Sequence, residues 1–183
     1  MDAVFHARVR LAPGTSSLLP ASDLAVVDAE AHRAAMEKYE DTPERRRLRD
    51  TAVPGMDRTW TEVVFLSPVH PHAIWRAWRE ITGRDRAAME FWAIPAADLP
   101  EGTVLLDRTR TATGDPIDPR EVRPFDRRTH RTALETTASN RRWLEECARR
   151  RVSGAWFHGV PHVLAPGAVS LDRARIVSWC DAP

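Results

Sequence analysis

Lysine is nearly missing from this chain: Lys38 is the only one, and arginine supplies the rest of the 27 basic residues. With 26 acidic residues the net charge is +1, so no long-range field holds a polyanion, and any nucleic-acid contact must be focused on one face. The arginine bias reads either as GC-rich coding or as a supply of bidentate phosphate ligands. Cysteine is scarce too. Cys147 and Cys180 are far apart and lack CxxC spacing, which excludes a disulfide framework and a thiolate metal site. No run of about 18 apolar residues exists, and residues 1–20 lack a basic-then-apolar leader, so the expectation is a cytoplasmic, soluble protein with no membrane partner. Neither GxGxxG nor GxxxxGK[ST] occurs, and no GxSxG surrounds a serine, which removes the glycine-rich phosphate loops and the serine-hydrolase elbow.

What is present suits one domain: 183 residues, 43% hydrophobic, enough to bury a core. "AVFHARVRL" (3–11) alternates as a first strand, with Phe5, Ala7 and Val9 on one face and His6, Arg8 and Arg10 on the other. Residues 26–49 have helical composition, and Thr42 before Pro43 and Glu44 is an N-cap for "PERRRLRD". A strand at 63–67 runs into the Pro68–Pro71 turn. Helix 72–83 follows, with Ile74, Trp75, Trp78 and Ile81 on one face and Gly83 ending it. Strands are expected at 88–99, ended by Pro95, and at 103–107. The Pro-, Asp-, Thr- and Arg-rich stretch 111–130 reads as a surface flap. Residues 131–151 read as a helix with Leu134, Trp143, Leu144 and Cys147 inside. Two short strands flank the Pro166–Gly167 turn at the end. The order lacks regular βαβ alternation, so an α+β domain with a mostly antiparallel or split sheet is expected.

Three groups of residues carry possible chemistry. His70 and His72 stand at HxH spacing, and His158 and His162 at HxxxH. If 70–72 is extended, both imidazoles aim one way, and the two pairs together offer nitrogens for Zn²⁺ or Fe²⁺. Gly159 and Pro161 exclude a helix for the second pair, and histidines at turns also simply bond backbone. Arg45, Arg46, Arg47 and Arg49 make a solvated helix face or a phosphate-contacting one. Arg127, Arg128 and Arg131 extend such a surface, with Trp75, Trp78 or Trp92 as stacking planes or as ordinary packing. Ser67 ends its strand. Glu62, Glu90 and Asp172 are the acids nearest to these groups in sequence.

Taken in order, these segments resemble the ADP-ribosyltransferase superfamily, and within it the DarT-type enzymes that modify DNA. "VFHARV" resembles the opening aromatic–His strand, and "YEDTPERRRLRDTAVPG" the arginine-rich helix and Pro/Gly loop. "WTEVVFLSPVHP" resembles the Val–x–Phe strand, and "GVPHVLAPGAVSLDRARIV" the closing strand. The resemblance covers most of residues 1–183. It implies split antiparallel sheets with flanking helices and NAD in the cleft between them. His6 would hold the ribose or the nicotinamide amide, Ser67 would line the pocket, and Tyr39, Arg45, Arg46 and Arg49 would serve the cofactor, the arginines at its pyrophosphate. His162, with His70, stands where catalytic groups belong. The implied reaction cleaves the nicotinamide–ribose bond and passes ADP-ribose to a nucleobase, with single-stranded DNA as partner, to a small acceptor or to water. Two positions depart from the pattern: Val69 replaces an arginine, and His162 replaces the catalytic glutamate. A neutral imidazole can act as base but offers no fixed negative charge. The alternatives are therefore a histidine-ligated metal enzyme and a catalytically silent nucleotide- or nucleic-acid-binding module. On the enzymatic reading, His6 and His162 face each other across one pocket sized for a dinucleotide.

Overall fold

A computed structural model describes residues 2–152 and 154–183. It is an α+β arrangement in which every strand ladder is antiparallel. β1 (Ala3–Ala7) pairs with β4 (Glu90–Pro95), which pairs with β9 (Arg175–Ser178). A second sheet has the order β3 (Val63–Leu66), β7 (His162–Pro166), β5 (Val104–Leu106) and β6 (Val122–Pro124). A two-stranded ribbon joins β2 (Ser17–Leu18) to β8 (Val169–Ser170). The two larger sheets meet at a single bridge, where Phe5 and Ser67 exchange backbone N–H···O bonds of 2.9 and 2.8 Å. On either side of that pair β1 and β3 part, so the sheet is split.

Side-chain alternation decides what each face buries. Ala3 and Phe5 point with Phe91, Ala93 and Trp179, while Val4 points the other way with Leu66, Ile94 and Val163. The first face is covered by α4 (Pro71–Thr82), packed on α5 (Ala138–Arg150) through Ala73, Ile74, Ala77, Trp78, Leu144 and Cys147. The other face is covered by the β2–β8 ribbon and Leu99. Three shorter helices, α1 (Leu24–Val27), α2 (Ala29–Glu37) and α3 (Pro43–Arg49), lie between β2 and β3 in the chain. The Thr42 hydroxyl accepts the Arg45 N–H at 3.2 Å with Pro43 opening the helix, and Gly83 at φ 65° closes α4.

Several boundaries differ from expectation, each for a visible reason. Residues 131–137 are not helical, because their backbone groups pair with the turn after β3: Ala133 N–H donates to Pro68 O (3.0 Å) and His70 N–H to Ala133 O (2.8 Å). Leu134 is therefore 53% exposed instead of buried. The stretch 111–130 contains β6 and a 3₁₀ turn, and it buries Ile117 beside Val53, Val104 and Leu106. Gly114, at φ 87°, lets this loop touch α3, where a Cβ would come within 2.6 Å of Glu44 O. The first strand ends at Ala7, leaving Val9 47% exposed. After Pro166–Gly167 the chain does not form a hairpin: β7 and β8 join different sheets, and β9 adds a third strand. Among the described residues no helix is long and apolar enough to cross a membrane.

Candidate functional site at the sheet junction

The proline turn after β3 explains its histidines. Pro71 opens α4, so 70–72 is not extended, and His70 becomes the N-cap: its Nδ1 accepts the His72 N–H at 3.2 Å. A protonated Nδ1 could not accept that bond, and burial holds the His70 pKa below its usual value, with a smaller push from His72. The ring stands edge-on to Phe5 with centroids 4.9 Å apart. His72 turns elsewhere, its Nδ1 meeting Trp179 O at 3.0 Å. One of the two His70 ring nitrogens is thus occupied in a structural bond. Ser67 is similarly engaged: its buried hydroxyl donates to Val69 O (3.1 Å) and accepts Val69 N–H (3.0 Å).

His162 opens β7 opposite Leu106, and the pairing of Leu66 with Val163 extends to set Ser67 across from it. On this face Phe65 lies edge-on to His162 at 6.0 Å, and Trp60 lies 4.5 Å from Phe65. Burial pushes His162 down to about 4; a hydrogen bond to Val160 opposes this, and His158 and Arg108 add to it. At neutral pH it is an uncharged hydrogen-bonding group and a weak base. His158 lies 4.6 Å from the Trp143 ring, the two rings tilted by 50°. The loop carrying His158 is fixed by Asn140, fully buried, which donates to Trp156 O and His158 O, both at 2.8 Å, and accepts from the Thr136 hydroxyl at 2.7 Å.

Arg108 is the residue that sequence reading overlooked. It follows β5, half-buried, with its guanidinium 5.6 Å from the Trp60 ring centre and close enough to influence His162. Nothing local marks it out among the many arginines. Only the β5–β7 register, which sets Leu106 against His162, brings it there.

His6 lies elsewhere. Alternation along β1 puts it with Val4 and opposite Trp92, whereas His162 shares the face of Phe5, Ser67 and Phe65. His6 Nδ1 meets Ala7 O at 2.6 Å, and burial, joined by the nearby Lys38 charge, lowers its pKa. Lys38 also stands 5.0 Å from the Tyr39 ring centre. Tyr39 is 5% exposed and lies near the Trp60 side chain, while burial raises its pKa. The Lys38–Tyr39 pair thus links His6 on one sheet to the aromatic strip on the other.

The α3 arginines already have partners. Arg45 pairs with Asp41 at 2.7 Å, Arg46 with Glu40 at 4.0 Å, and Arg49 with Glu40 and Asp50 at 3.1 and 3.0 Å, all on an open surface. Trp75, Trp78 and Trp92 lie under Arg79, Arg86 and Arg8 as packing. Glu62 caps Thr59, Glu90 pairs with Arg8, and Asp172 accepts from Ser16, so none of the three acids is free for the site. Two surface clefts, of about 440 and 270 Å³, share Pro124 and Phe125 and touch none of His6, Ser67, His70 or His162. Among the described residues no three His, Cys, Asp or Glu side chains form a metal-binding cluster, which leaves the histidine-ligated metal reading without a ligand set. No protein-family model, curated protein or solved structure matches the chain.

Proposed function

We propose that the protein is an ADP-ribosyltransferase-like, NAD-using enzyme that binds the dinucleotide where its two sheets part. It breaks the nicotinamide–ribose bond and passes ADP-ribose to a nucleobase or another small acceptor. The observation that carries this reading is the row of partly buried rings, Trp60, Phe65 and His162, ending at the Phe5–Ser67 bridge with the Arg108 cation beside it. Rings take up planar bases by stacking, and a guanidinium takes up phosphate oxygen. On this reading His162 is the hydrogen-bonding partner of the reacting ribose or the acceptor, while His70 and Ser67 set the turn that places it. Single-stranded DNA is the acceptor class that the family resemblance suggests.

A second reading is favoured by one observation: His162 is held neutral, and among the described residues no free carboxylate stands beside it to stabilise a developing ribose cation. That arrangement suits a module that binds the nucleotide without cleaving it. Incubation with NAD, with and without single-stranded DNA, followed by chromatography for free nicotinamide, separates the two. Release that is lost in His162→Ala supports the enzyme. NAD-dependent thermal stabilisation without release supports the binding module, and neither effect would defeat both.

A further inference from the structure

We propose that Arg108, with the rings of Trp60 and Phe65, forms an anion-and-ring subsite that selects a phosphorylated nucleotide over the corresponding nucleoside. This deepens the preceding reading and rests on it, since it takes the junction to be a nucleotide site.

Arg108 does have bonds, but none to an anion. Its Nε donates to Thr111 O at 3.1 Å and its Nη2 to Ala112 O, and among the described residues no carboxylate pairs with it. Glu121 and Asp115 act on it only at a distance. Glu121, 4% exposed, is already taken up by the Thr111 hydroxyl at 2.5 Å and by the N–H groups of Thr111 (3.0 Å) and Arg110. The guanidinium is thus partly desolvated, fixed by two carbonyls that align it without neutralising it, and laid beside the Trp60 ring. Burial of a charge is costly unless an opposite charge joins it. A phosphate oxygen meeting the free edge of Arg108 satisfies that requirement, while the attached base has Trp60 and Phe65 to lie on.

The wall that holds Arg108 is built, not loose. Glu121 ties residues 110 and 111, Arg47 Nε donates to Gly114 O at 3.3 Å, and Gly114 packs directly on the Glu44 backbone. The side chain therefore meets a ligand without first ordering its loop, which keeps the entropic cost of binding low.

The test is titration of the full chain with ADP and with adenosine by calorimetry, for the native sequence, Arg108→Gln and Arg108→Lys. The native protein is expected to prefer ADP over adenosine by about tenfold or more, as a charge-assisted bond implies. Arg108→Gln should bring that ratio close to one while adenosine affinity holds, and Arg108→Lys should keep part of it. A purely structural staple would weaken both ligands alike and leave the ratio unchanged, which overturns the assignment. Adenosine binding as tightly as ADP in the native protein also overturns it. An unchanged ratio in the variant together with nicotinamide release defeats the subsite and leaves the enzyme reading standing. A collapsed ratio without nicotinamide release does the reverse and leaves a phosphate-reading module.

Discussion

Replacing Asn140 by alanine should destabilise the protein by about 2–4 kcal/mol. The amide makes three bonds of 2.7–2.8 Å with no surface exposed. Each is worth about 1 kcal/mol net, and stranding two carbonyls and a hydroxyl adds to that wherever water cannot enter. His158 lies on the surface, so its carbonyl is the one best placed to recruit water, which keeps the total well below the sum of full desolvation penalties. For a chain of this size the change corresponds to a drop of roughly 5–15 °C in Tm. Urea unfolding followed by tryptophan fluorescence measures it directly. Asn140→Asp sharpens the reasoning. It keeps the shape and the acceptor but loses both donors, and it sets a carboxylate against two carbonyl oxygens. It should therefore be at least as damaging at pH 7, and its deficit relative to the native chain should shrink as acid protonates the new side chain and restores a donor. An alanine variant within about 0.5 kcal/mol of the native protein would refute the account of how the His158 loop is held.

His162 should make stability depend on acid in a stated direction. Its folded pKa of about 4 lies below the ordinary 6.5, so between those values the unfolded chain binds the proton and the folded one does not. Stability is then fully present above pH 6.5 and falls as pH drops toward 4, by at most about 3 kcal/mol; His162→Gln should flatten that part of the unfolding curve. Gly114→Ala should cost about 1–3 kcal/mol, because φ is 87° and the new methyl meets Glu44 O, and a denaturation midpoint equal to the native one would show that the loop yields freely. Glu121→Gln should cost about 1.5–3 kcal/mol in the same assay, since a neutral amide accepts the donors less strongly and turns an NH₂ group toward groups that now donate to the carboxylate. Amide exchange should then quicken first at residues 107–118, and uniform quickening would argue against a local role.

How much of this was readable in the chain varied with the range of the forces involved. Caps and period were legible because they are local. Thr42–Pro43 opened α3, Gly83 closed α4, and Pro95 ended β4, each at or next to the expected residue. The antiparallel α+β character followed from the same local signals. What failed was decided across long stretches of sequence. Leu134 looked internal on a helical period, yet residues 131–137 bond to the turn after β3, more than sixty positions earlier. Residues 111–130 have flap composition, yet Ile117 and Glu121 anchor them to elements that no local pattern names. The His-Pro-His segment misled for a related reason. The expectation of an extended pair ignored that proline is as welcome at the first turn of a helix as in a strand-ending turn.

The arginines show why clustering along the chain is a poor guide to where charge is available. Arg45, Arg46, Arg47 and Arg49 are conspicuous in sequence, but Glu40, Asp41, Glu44 and Asp50 lie among them, and the folded helix lets each cation reach one. Such exposed pairs contribute little stability, and an incoming phosphate must displace a carboxylate that costs nothing to keep. Arg108 belongs to no comparable run, with Arg110 its one near neighbour of that type in sequence. The fold removes part of its water and aims it with two carbonyls, and among the described residues no carboxylate closes on it. What makes a cation ready for a ligand is this shortage of counter-charge in a partly dry place, and that depends on the β5–β7 register rather than on any motif.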